Sequence, residues 1–74
     1  MDYTKIKEML TDEYSDVISY VNLYKETDDC IFRDIAHEEM IHAKHLENIL
    51  KDAGVDIEGF KESKKKAETA LEEV

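Results

Sequence analysis

The chain has no proline, only two glycines and a single cysteine. With Cys30 as the lone thiol, no internal disulfide framework can form, and neither CxxC zinc sites nor a rubredoxin-type iron centre is available. Basic residues are also scarce. Ten Lys and Arg stand against nineteen Asp and Glu, a formal charge of −9. That balance argues against a nucleic-acid partner, whose binding needs Lys and Arg to displace counterions. An acidic surface attracts cations, although solubility alone explains it equally well. No apolar run approaches the ~18 residues of a membrane span, and no signal-peptide pattern opens the sequence. The expectation is a cytoplasmic, reduced chain with no membrane partner.

At 74 residues the chain is about half an ordinary domain. A single core of this size rarely supplies more than roughly 3–5 kcal/mol, so a metal or a second chain is expected to add stability. Without proline, and with its first glycine at position 54, nothing forces a break between Tyr3 and Ala53. Apolar residues recur there at spacings of three and four, the helical period. The first seam reads Ile6, Leu10, Glu13, Val17, Tyr20 and Tyr24. The second reads Phe32, Ile35, Glu39, His42, Leu46, Ile49 and Ala53, widened by Ala36, Ala43 and Leu50.

Thr27, Asp28 and Asp29 between the seams are good helix N-caps, each offering a short side-chain oxygen to a free amide. The spacing predicts helices over about residues 3–26 and 28–53. Gly54 suits the left-handed position just past the second helix. A weaker amphipathic helix is expected over about 57–73, its stripe of Ile57, Phe60, Ala67, Leu71 and Val74 interrupted by Lys64. The expected fold is one all-α unit spanning 1–74, an antiparallel helical hairpin with a short C-terminal helix.

Glu13, Glu39 and His42 stand where the seams call for aliphatic side chains. A buried unpaired charge costs several kcal/mol, and natural sequences accept that mostly at functional sites. Folding the hairpin about Thr27 puts Glu13 fourteen residues before the turn, and Glu39 and His42 twelve and fifteen after it. All three then lie in one layer, roughly 20 Å from the turn at 1.5 Å per residue. Glu39 and His42, at i and i+3, share a helix face. Di-iron carboxylate bundles take one Glu from each of two helices and a Glu-x-x-His from each of the other two. One hairpin carries half that set, and two hairpins about a two-fold axis would complete it. The four carboxylates and two neutral imidazoles would offset two divalent ions. Carboxylate with imidazole suits iron, with manganese or zinc as substitutes.

Glu13 with Tyr20, as E-x6-Y, followed by Glu39-Met40-Ile41-His42-Ala43-Lys44, resembles the first half of a rubrerythrin-type ferritin-like domain. The nearest resemblance, over about residues 6–53, is to the encapsulated ferritins, in which a single hairpin forms its di-iron site between two subunits. The resemblance implies a dimer forming a ferritin-like four-helix bundle, and metal ligation by Glu13, Glu39 and His42 with Tyr20 close by. It further implies a ferroxidase that oxidises Fe(II) with oxygen or peroxide in iron storage or detoxification. An encapsulin-type protein shell would then be a partner and a nanocompartment the location. The second helical pair and cysteine-ligated iron domain of a rubrerythrin proper are absent. Two alternatives stand beside this one, a metal binder without turnover and a structural helical dimer.

His45, one turn beyond His42, is an auxiliary-ligand candidate or a surface histidine. Tyr20 is a hydrogen-bond donor near the site or seam packing. His37 falls off the seam. Asp12, Asp16, Asp34 and Glu38 flank the layer, where they would guide cations or form a solvated face. Cys30, with no basic neighbour nearer than Arg33, reads as structural rather than as a redox nucleophile. Ile18, Met40 and Ile41 point away from the seams, which suggests a second interface and a larger closed oligomer.

Overall fold

The computed structural model describes residues 2–74, and these are helical apart from short connections. Helix α1 spans Thr4–Thr27, α2 spans Cys30–Asp52 and α3 spans Lys61–Glu72. A single 3-10 turn, Glu58–Phe60, leads into α3. No helix among the described residues is long and apolar enough to cross a membrane.

Side chains at the ends set the boundaries. The Asp2 carboxylate accepts from the Thr4 amide (2.9 Å) and hydroxyl (2.6 Å), satisfying one of the free donors at the start of α1. Asp28 closes α1 in the left-handed region, at φ 58°, with its amide bonded to the Tyr24 carbonyl. Of the three cap candidates Asp29 takes the role for α2, accepting from the Ile31 amide at 3.1 Å. Gly54 ends α2 at φ 73°. Its amide bonds to the Lys51 carbonyl, and the Val55 amide reaches back to Leu50, the paired bonds of a Schellman ending. Nothing lies within 4 Å of where a Gly54 Cβ would stand, so Gly54→Ala is penalised by backbone conformation alone. The expected loss is about 1 kcal/mol, a fall in Tm of roughly 4–8 °C. Thermal melts in chelator measure it.

Helices α1 and α2 fold back on one another in an antiparallel hairpin. The molecule is a rod of 42 × 18 × 15 Å. Leu10, Tyr14, Val17 and Val21 of α1 bury against Ala36, Ala43 and Leu50 of α2. The two alanines carry little apolar surface but let the helix backbones approach closely. Near the turn Tyr20 stacks on Phe32, with centroids 6.4 Å apart, and Arg33 lies 5.5 Å over the Tyr24 ring.

The position of the core corrects the sequence expectation. The hairpin closes along Ala36, Ala43 and Leu50, with Leu46 packed at the edge of the core, and not along Phe32, Ile35, Glu39, His42 and Ile49. Helix α3 lies along the other side of the closed stripe, mainly against α1, with Ala67 buried and Ala70, Leu71 and Val74 half-buried. The seam holding Glu39 and His42 is thereby left on the open side. Ile49 and Met9 remain about half exposed there. A second correction concerns Met40, which packs on the core instead of pointing away from it. Ile18 is half-buried and lines the α1–α3 groove. Ile41 alone of the three is exposed.

Candidate metal centre

Glu13, at mid-length on α1, faces Glu39 and His42 of α2 on the open side of the hairpin. One ligand atom from each of the three lies within 4.8 Å of the others. His42 Nδ1 is 3.8 Å from Glu13 Oε2 and 3.6 Å from Glu39 Oε1. Both separations are too long for hydrogen bonds. They suit atoms sharing an ion, since donors each about 2.1 Å from one cation stand roughly 3–4 Å apart. The carboxylates retain 20 % (Glu13) and 18 % (Glu39) side-chain exposure and the imidazole 55 %. In the single chain, then, the layer is a half-open rim and not the buried core position that the seams predict.

Two features mark the Glu13 carboxyl in the single chain. Glu13 Oε2 is fully screened from water and has no hydrogen-bond partner, a position that normally costs about 1–3 kcal/mol. The Glu13 carboxyl is also pushed up to about 7. Burial is the main cause, followed by a side-chain hydrogen bond with Glu39, then by the Glu39 charge and those of Asp16 and Asp12. Asp16 is raised as well, by burial, Glu39 and Asp12. A divalent cation would remove the repulsion and give Oε2 its missing partner, so the residues present fit a metal. Three donors from one chain leave room in the coordination sphere of a six-coordinate ion.

The remaining candidates fall outside this group. Tyr20 lies on the same face of α1 but engages Phe32. His45 and His37 are exposed and do not join the three-residue cluster. Asp34 and Glu38 are solvated, whereas Asp12 and Asp16 act on Glu13 through their charge. Cys30 is exposed at the start of α2. Cys30→Ser is expected to leave metal uptake and native mass unchanged, and a tenfold change in either would give the thiol a role at the site.

A second polar cluster was not foreseen. The Glu47 carboxylate is buried in the hairpin, 5 % exposed. It accepts from the Tyr14 hydroxyl at 2.9 Å and from Lys64 of α3 at 3.1 Å, and pairs with Lys51 at 3.0 Å. Burial alone would raise this carboxyl, but those three partners outweigh it and hold Glu47 below the ordinary value. Tyr14 is raised, by burial and by the Glu47 charge. The signal was present in the sequence. Glu47 continues the Ala36, Met40, Ala43, Leu50 stripe, and Lys64 interrupts the stripe of α3, so two opposite charges break two apolar faces.

Compared with protein-family models, with curated proteins and with solved structures, the chain matches none.

Proposed function

We propose that the protein oxidises Fe(II) at a di-iron centre shared between two copies of the chain. The convergence of Glu13, Glu39 and His42, with a buried Glu13 oxygen left unpartnered, carries this reading. The open face supports it. Ile6, Tyr20, Phe32, Ile35, Leu46 and Ile49 recur at helical spacing around the three polar groups. A second hairpin laid on this face would cover them and bring the other half of the ligand set. The imidazole reaches neither carboxylate at hydrogen-bond distance, so a structural hydrogen-bond network in this layer would be limited to the Glu13–Glu39 pair.

In this reading Fe(II) is the substrate, and oxygen or peroxide accepts the electrons. Glu39 would be the candidate ligand common to both ions, with Glu13 and His42 as the terminal ligands. His42 would offer a ring nitrogen, and Glu13, whose carboxyl is raised to about 7, would give up its proton when a cation enters. Asp12 and Asp16 raise the local cation concentration at the mouth of the layer. The dimers close into a larger oligomer through outward apolar residues such as Ile41. Seating of that oligomer inside a protein shell, and storage of the ferric product there, follow from the ferritin-like resemblance.

Native mass spectrometry at micromolar protein, with Fe(II) added anaerobically and air admitted afterwards, tests the reading. Dimers or larger species carrying two irons per pair of chains are expected, with ferric absorbance growing in air. A metal-loaded monomer would exclude the shared site. Stoichiometric uptake without oxidation would make the protein a passive binder.

A further inference from the structure

We propose that the Tyr14–Glu47–Lys64 cluster positions the metal layer, fixing how α1 sits against α2 so that Glu13 meets Glu39 and His42. The inference rests on the metal reading above and concerns residues outside the ligand set. Near the turn the Tyr20–Phe32 stack and Arg33 over Tyr24 join the two helices, but in the buried core, Tyr14 apart, their contact is aliphatic, with alanines at two of its three fully buried apolar α2 positions. Such packing is non-directional and tolerates sliding or rotation of one helix on the other. The Tyr14–Glu47 hydrogen bond is different, since it joins one atom on each helix across 33 residues of sequence in a buried setting.

Its location couples it to the layer. Tyr14 follows Glu13 directly, so any motion of α1 that carries the Glu13 carboxylate also carries the phenol. Glu47 lies five residues beyond His42, about 7.5 Å further along the same stiff helix. The Glu47 head group is itself held on both sides, with Oε2 accepting from Tyr14 and Oε1 from Lys64 and Lys51. Lys64 comes from α3, so the third helix, packed away from the metal face, helps clamp the carboxylate that sets the register. Tyr14, Glu47 and Lys64 are therefore positioning residues. They touch no ligand atom in the layer, and they act by holding three ligands within the few tenths of an ångström that a shared ion requires.

Tyr14→Phe tests this, since it keeps the ring in the core and removes only the hydroxyl. The comparison is Val21→Ala, which loosens the same interface without touching the cluster or the layer. Both variants and wild type are titrated with Co(II), whose visible absorption reports ligand geometry, and their metal-free Tm values are recorded. Tyr14→Phe is expected to bind Co(II) about tenfold more weakly, as when groups that orient metal ligands are removed. Its Co(II) spectrum should be altered too. Val21→Ala should lose Tm yet keep the wild-type affinity and spectrum. If Tyr14→Phe matches wild type in both, or if Val21→Ala weakens binding as much, the cluster has only a general structural role and the positioning proposal fails. A wild-type protein that takes up no Co(II) overturns the metal reading itself, and the positioning role with it.

Discussion

Glu13→Ala, Glu39→Ala and His42→Ala are each expected to abolish Fe(II) oxidation, because one substitution removes a ligand from both halves of a two-fold site. The metal-free fold should respond in the opposite sense. Glu13 holds a screened, unpartnered oxygen beside the Glu39 carboxylate and under the charges of Asp16 and Asp12. Removing Glu13 or Glu39 relieves that repulsion, so both alanine variants should melt at or above the wild-type temperature in chelator. Metal should then raise Tm for wild type by mass action and for neither variant. If the three side chains instead stabilise one another, each substitution should weaken the metal-free protein by roughly 1–3 kcal/mol through an orphaned partner. Thermal melts of the four proteins, with chelator and with anaerobic Fe(II), separate the two outcomes. An apo form weakened by all three changes, with no metal dependence anywhere, would end the di-iron reading.

The contrast between those outcomes depends on where the layer lies, which the sequence resolved only in part. The helices and their ends were legible because they follow from local chemistry. Apolar spacing marks α1 and α2, Asp29 caps one helix, and Gly54 ends it in the left-handed region. The common height of Glu13, Glu39 and His42 was legible too, since it needs only the rise per residue and the place of the turn. The face they occupy was not. Two neighbouring stripes on α2 both repeat at three and four, one rich in Ile and Leu, the other in Ala. Hydrophobicity favours the first as the core, whereas close helix approach favours the second. The alanine stripe closes against α1, while α3 packs mainly on α1, and this long-range arrangement is one that no local pattern encodes. Glu47 interrupts that alanine stripe in the sequence, but its partners were not legible, because Lys64 and Tyr14 come to it from 17 and 33 residues away.

Acidity should act on the two carboxylate clusters in opposite directions. In the folded chain Glu13 titrates at about 7, against an ordinary value of 4.5. Between those values the native state holds a proton that the unfolded state has released, so metal-free stability falls as pH rises. The contribution is fully present below 4.5 and is lost as pH passes through about 7. Its size is roughly 1–3 kcal/mol, because a unit of displacement corresponds to about 1.4 kcal/mol and the group keeps some contact with water. Asp16, raised by burial and by Glu39, works in the same sense. Glu47 is lowered, so its contribution is present above the ordinary carboxylate value and is lost only as pH falls through its own lower one. The metal-free protein should therefore be more stable at pH 5 than at pH 8, with acid unfolding beginning only below the ordinary range. Metal uptake must run the other way, because an entering cation has to displace the Glu13 proton. Its affinity should drop up to tenfold for each pH unit below about 7. In Glu13→Gln the carboxyl is gone, so the slope of apo stability between pH 5 and 8 should flatten and metal affinity should be low throughout. Melts in chelator at pH 5, 6, 7 and 8, paired with Mn(II) titrations at the same values, measure both slopes. Wild-type stability that rises from pH 5 to 8 would show that Glu13 is ionised and accommodated without metal, and the layer would then need no cation to complete it.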